Sequence, residues 1–260
     1  MGKARAIFEG SAGMVTQRNV PDYGYLYTTS LVQAPDIAVG DLRTLPDGRE
    51  YRYAKSAAAC LSCQGCEFTT TGLVAYTAFA VSAAVGVQEV TVPAATHALQ
   101  AKDALRGGYV IIWAADGSVQ FRGIVGNDAT AADVAFKIRL DAGLTNAVVA
   151  ATSAIELYEN PYAALQTAAD PTKAVAGVPA AAVAAASTYF WVQTKGPVFV
   201  NPAATVTGNE GVGCMWRHDG SLDAVATAIG GTVPDTDTTQ YAGYRIEGSA
   251  DGNGPLFMLT

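Results

Sequence analysis

At 260 residues the chain is long enough for one large β domain or two smaller ones. Its net charge of −7, with no cluster of Lys and Arg, argues against direct contact with a nucleic-acid backbone. Charged residues are only 15% of the chain, against roughly 25% in an average globular protein; no apolar run reaches transmembrane length and the first residues hold no signal core.

These features imply no nucleic-acid partner, no membrane, and synthesis in a cytoplasm. Half of the residues are hydrophobic, but Ala and Val dominate, with abundant Gly and Thr. That composition favours many short strands over helices. The expected fold is all-β, barrel- or sandwich-like, with little helix and an extended N-terminal arm. With few charges to solvate it, part of the surface is expected to be covered by neighbouring chains, in a homodimer or homotrimer. Three regions follow: an arm over 1–40, a first β domain over 41–165, and a second β region over 166–260, separate or packed into the same core.

Residues 1–40 show no sustained period of 2 or 3.6 but recurrent Gly, Pro and Tyr. Tyr23, Tyr25 and Tyr27 fall on one side if the segment is extended, and are the candidate partner-binding residues. Aromatic anchors of that kind bury large area at little entropic cost. The alternative is an irregular segment packed on its own domain. Residues 41–55 form the clearest hairpin, turning at Pro46-Asp47-Gly48. Strands are expected near 74–81 and 85–92. A second hairpin spans 105–125, with arms at 109–113 and 119–125, turning at Asp116-Gly117. Its first arm, Tyr109 to Trp113, is apolar on both faces and reads as central or buried between layers.

Residues 134–140 alternate as a strand. The composition of 147–157 fits helix or strand, and a short helix is expected near 163–168. The densest cluster of β-formers, 187–201, is expected to be the central strand, with Phe190 and Trp191 on opposite faces and a break at Gly196-Pro197 that is a bend, a bulge or a strand end. A strand near 212–216 turns at His218-Asp219-Gly220. A loop covers 230–239. The last strand pair, 241–247 and 256–259, is joined by a turn containing Asp251-Gly252.

The cysteines are the sharpest chemical feature. Cys60, Cys63 and Cys66 have C-x-x-C-x-x-C spacing, and Cys214 is a distant fourth. Thiolates at that spacing can ligate zinc or part of an iron–sulfur cluster. Only a turn, which Gln64-Gly65 permits, brings the three together. Packing by small residues is the reading preferred over metal or a disulfide, so no cofactor is expected. His97 and His218 lack any accompanying nucleophile motif, and no catalytic residue is assigned. Asp235-Thr236-Asp237 and the Asp251 segment resemble pieces of calcium loops but read as ordinary turns.

Four blocks together resemble bacteriophage head decoration (capsid cement) proteins. They are residues 39–55, the Gly-Gly-Tyr-Val-Ile-Ile-Trp run at 107–113, Glu-Asn-Pro-Tyr at 159–162, and Tyr-Phe-Trp-Val-Gln-Thr-Lys-Gly at 189–196. The resemblance runs in order across most of 39–260. It implies a non-enzymatic, β-rich virion protein, oligomeric, bound to the major capsid protein on the capsid exterior after assembly in the host cytoplasm. The Cys60, Cys63, Cys66 run departs from the small and polar residues expected there. The rival reading is a tail- or fibre-associated structural protein that binds host carbohydrate.

Overall fold

The computed structural model describes residues 5–8 and 15–18 as strands, and residues 22–70, 72–202, 213–224, 238–247 and 256–260 in full or nearly so. The remainder of the expected arm before residue 22, most of the 230–239 loop and the Asp251 turn lie outside the described residues. The protein is all-β. Two N-terminal strands, β1 (Arg5–Phe8) and β2 (Val15–Arg18), pair with each other. Among the described residues, all other strands belong to two antiparallel sheets.

The smaller sheet has six strands: β6 (Gly72–Ala78), β7 (Glu89–Val92), β8 (Tyr109–Trp113), β9 (Val119–Asn127), β10 (Phe136–Leu140) and β11 (Ala154–Tyr158). Their spatial order is β6-β11-β8-β9-β10-β7. Val110, Ile112, Ile124, Ile138, Ile155 and Leu157 project from one face into a core closed by the loop residues Phe79, Leu105, Leu144 and Val148. Every member of this core lies between residues 73 and 157, so the unit buries its inner face with its own loops.

The larger sheet has ten strands. From the N-terminal side come β3 (Leu42–Thr44), β4 (Glu50–Lys55) and β5 (Cys66–Phe68). After the smaller sheet come β12 (Leu165–Thr167), β13 (Val175–Pro179), β14 (Tyr189–Phe199), β15 (Gly213–Arg217), β16 (Leu222–Ala224), β17 (Thr238–Glu247) and β18 (Leu256–Leu259). The topology therefore groups 42–68 with 165–259, a division that a linear boundary at 165/166 does not capture. The six-stranded unit is an excursion between β5 and β12, whose ends are paired at Phe68 and Leu165.

β14 is the central strand, with Phe190 buried in one core cluster and Trp191 in another on the opposite face. The expected break at Gly196-Pro197 is not a strand end. β14 runs through it and changes partners: Tyr189 to Lys195 pair with β4, and Gly196 to Phe199 pair with β18. Gly196 has φ of 90°, a left-handed geometry that glycine adopts freely. The amide that Pro197 lacks falls where the β4 ladder has already ended.

The two hairpins expected over 41–55 and 105–125 form, with strands that span 42–55 and 109–127. At each described Asp-Gly turn the glycine is left-handed: Gly48, Gly117 and Gly220. The preceding Asp accepts a hydrogen bond from the amide two residues ahead, from Arg49, Ser118 and Ser221. The short helix expected near 163–168 is absent. Asn160 caps a single 3-10 turn at Pro161–Ala163, and Leu165 then enters β12, fully buried. Strand pairing with β5 overrides alanine's helical preference there.

Candidate interaction surfaces

The outer face of the smaller sheet exposes a cluster of apolar side chains. Alternation along β8 sends Val110 and Ile112 inward, so Tyr109, Ile111 and Trp113 face outward. Across the β8–β9 ladder Ile111 pairs with Phe121 and Trp113 with Val119; across β8–β11 Tyr109 pairs with Tyr158. Tyr109 and Phe121 stack at 5.2 Å. On the edge strand β6 the register shifts so that Ala75 and Tyr76 together oppose Glu156. That bulge turns Tyr76 outward, edge-on to Trp113 at 5.1 Å.

Tyr76, Phe121 and Val119 are 61%, 59% and 58% exposed. With Tyr109, Tyr158 and Val125 they present on the order of 600 Å² of apolar area, taking 150–250 Å² for a whole ring. That matches the largest patch on a typical monomer and approaches the roughly 800 Å² each partner gives to a standard interface. Charge at this face is modest. Glu156 accepts from the Tyr158 hydroxyl at 2.7 Å, a bond that raises the phenol pKa. β8 is central, as its sequence implies, but it is not buried between layers: one of its two apolar faces is open.

The second surface is the segment over 22–40. The sequence predicts an extended arm with Tyr23, Tyr25 and Tyr27 on one side. The structure instead has a 3-10 turn at Gly24–Tyr27, and the tyrosines point apart. Asp22 accepts from the Gly24 amide at 2.8 Å, and the Leu26 amide bonds to the Tyr23 carbonyl. The turn drives Leu26 into the core beside Tyr51, Tyr53 and Trp191, with Tyr23 half-buried against it. Tyr25 and Tyr27 remain 41% and 50% exposed. Tyr25 rests edge-on against Trp191 at 5.9 Å, and the Tyr27 hydroxyl accepts from Arg49 at 3.1 Å. Residues 22–40 are thus a strap packed on their own sheet, and the core contact of Leu26 is the reason.

The strap ends at the junction between the sheets. The Asn160 amide donates to the carbonyls of Val39 at 2.7 Å and Arg106 at 3.3 Å, while its oxygen accepts from the Tyr162 amide. Gly40 and Gly107, both left-handed, lie so close to this amide that a side chain at either would collide with it. Arg52 donates to the Gly40 carbonyl and lies over the Tyr162 ring. The blocks at 39–55, 107–113 and 159–162 therefore meet around one side chain, and Tyr189 of the fourth block lines the crevice beside it. Their role in this fold is to hold the two sheets together.

The cysteines are distributed between two cores. Cys60 and Cys66 share a buried cluster with Leu165 and Phe190, and Cys214 sits in another with Trp216. Contact with Cys60, followed by burial, raises the Cys66 thiol pKa; burial pushes the Cys214 thiol up to about 11. Cys63 is half-buried in the intervening turn with φ of 60°, and its carbonyl accepts from the Asn201 amide. Among the described residues no group of His, Cys, Asp or Glu is arranged to hold a metal ion. The buried His97 ring lies within hydrogen-bonding distance of the Ala98 and Val134 carbonyls and packs on Phe136. His218 lies in the turn after β15.

Comparison of the chain with protein-family models, with curated proteins and with solved structures gives no match.

Proposed function

We propose that this chain is a capsid cement protein: it binds the major capsid protein on the outside of the shell and stabilises the shell against internal DNA pressure. One observation carries the reading. The smaller sheet closes its own core, yet its outer face keeps an ordered array of aromatic side chains in water. Beyond its ring–ring contacts such a face adds little to a solitary molecule's stability, and it gains from burial at about 25 cal/mol per Å². Aromatic anchors on a flat, rigid sheet suit a broad contact with another folded surface, and many modest contacts at subunit joints raise the barrier to rupture. The resemblance of the four framework blocks to head decoration proteins supports the same assignment. Self-association into a dimer or trimer belongs to this proposal, because the low charge content leaves other apolar surface to cover.

The test is to mix the purified protein with expanded, undecorated phage heads and measure bound copies per head. Saturation at a fixed stoichiometry, lost in a Tyr76→Lys, Phe121→Lys double variant that retains its circular dichroism, is the expected outcome. Failure of the native protein to bind heads, or labelling confined to the tail, would overturn the assignment.

A further inference from the structure

Beside Asn160, between the two sheets, lies a crevice of about 590 Å³. Its walls come from the strap, from β4, from the segment over 100–106 and from the turn over 159–163. Lys55, Lys102 and Arg106 all line it. This concentration stands out in a chain with 16 basic and 23 acidic residues.

Most other cations of the described residues are engaged. Arg49, Lys137, Arg139, Lys173, Lys195 and Arg217 form ion pairs. Arg52 and Arg122 donate to backbone carbonyls. Lys55, Lys102 and Arg106 have no carboxylate partner among the described residues. Lys55 is positioned over the Tyr189 ring, 5.7 Å from its centroid, a contact that leaves its three N–H donors unspent. Asp103, on the same wall, is already bound to Arg139 at 2.9 Å. The other acid in the crevice is the half-buried Glu159.

We propose that this crevice binds an oxyanion ligand, inorganic phosphate or a multivalent carboxylate, through Lys55, Lys102 and Arg106. A recess with cations on two of its walls concentrates anions more effectively than the same charges on an open surface. The volume falls within the range of ordinary small-ligand sites. Tyr189 and the buried Gln100 add hydrogen-bonding groups to the lining.

The experiment titrates the isolated protein with phosphate and, separately, with citrate by calorimetry, each against sodium chloride at matched ionic strength. Saturable binding at one site per chain is expected. A Lys102→Gln, Arg106→Gln double variant should bind at least about tenfold more weakly. Glu159→Gln, which removes the competing carboxylate, should bind more tightly. Arg43→Gln, which removes an exposed cation from β3 outside the crevice, should bind as the native protein does. Binding of phosphate alone would identify a small inorganic ion, and binding of citrate alone a multivalent carboxylate; either supports the site. No saturable heat with either anion would overturn it, as would equal losses in the crevice and Arg43 variants. Heads are absent from this experiment, so its failure leaves the cement assignment to its own test.

Discussion

The central strand of each sheet carries an aromatic cluster, and the two clusters have opposite fates. In β14, Phe190 and Trp191 are both buried, one on each face. In β8 and β9, Tyr109 and Phe121 stack on each other in solvent. The larger sheet covers both faces of its central strand, using the strap on one side and the loops around Cys60 and Val183 on the other. The smaller sheet covers only one. Aromatic density thus marks a strand's place at the centre of a sheet, and the number of covering layers decides whether the rings stabilise the fold or await a partner.

Truncation separates these roles. Trp191→Ala should destabilise the protein most, by about 3–5 kcal/mol, because it empties a site packed by Tyr25 and Tyr53; urea unfolding measures it. Asn160→Ala should cost about 2–3 kcal/mol, since it strands the Val39 and Arg106 carbonyls and the Tyr162 amide at the junction. Phe121→Ala should change stability by no more than about 0.5 kcal/mol while weakening head binding about tenfold. A Phe121 variant that unfolds as readily as the Trp191 variant would erase the distinction between the two clusters.

The smallest expected effect concerns Glu159. Burial raises its carboxyl pKa above the ordinary glutamate value. The folded state therefore holds this proton more tightly than the unfolded chain does. The stabilising contribution is present at low pH and is lost as pH rises from the unfolded pKa through the folded one. Glu159→Gln should consequently gain stability relative to the native protein as pH is raised from 4 to 7. Parallel pH–stability curves for the two proteins would contradict this.

The runs of β-formers at 51–53, 109–113 and 189–193 and the Asp-Gly turns made the strands and hairpins readable, because strand propensity and left-handed glycines are local properties. Layer coverage is not local. Nothing near Tyr109 to Trp113 distinguishes a face covered by the protein's own loops from one left open, so that strand reads as central or buried between layers, and only the first holds. The strap is illegible for a related reason. Its three tyrosines suggest an extended stretch, but Leu26 between them finds a core made by Tyr51 and Trp191, remote in sequence. The cysteine spacing admits a ligand set beside the preferred packing reading, and spacing alone does not show that the fold sends Cys214 to a separate cluster and Cys63 to a turn. The crevice cations come from residues 55, 102 and 106, and no spacing rule would join them.

The pairing of Phe68 with Leu165 has a consequence for how the chain acquires its shape. The β4–β14 ladder joins residues whose intervening chain includes the whole smaller sheet, and closing so long a loop is entropically costly and slow. Once residues 72–158 have collapsed on their own core, their two ends emerge side by side and the effective loop becomes short. Hierarchical assembly is the expected route: completion of the excursion brings the two halves of the larger sheet within reach of each other. A chain in which a short Gly/Ser loop replaces 72–158 should still form the larger sheet, and faster than the parent. It would lack the aromatic outer face while retaining the partner exchange of β14.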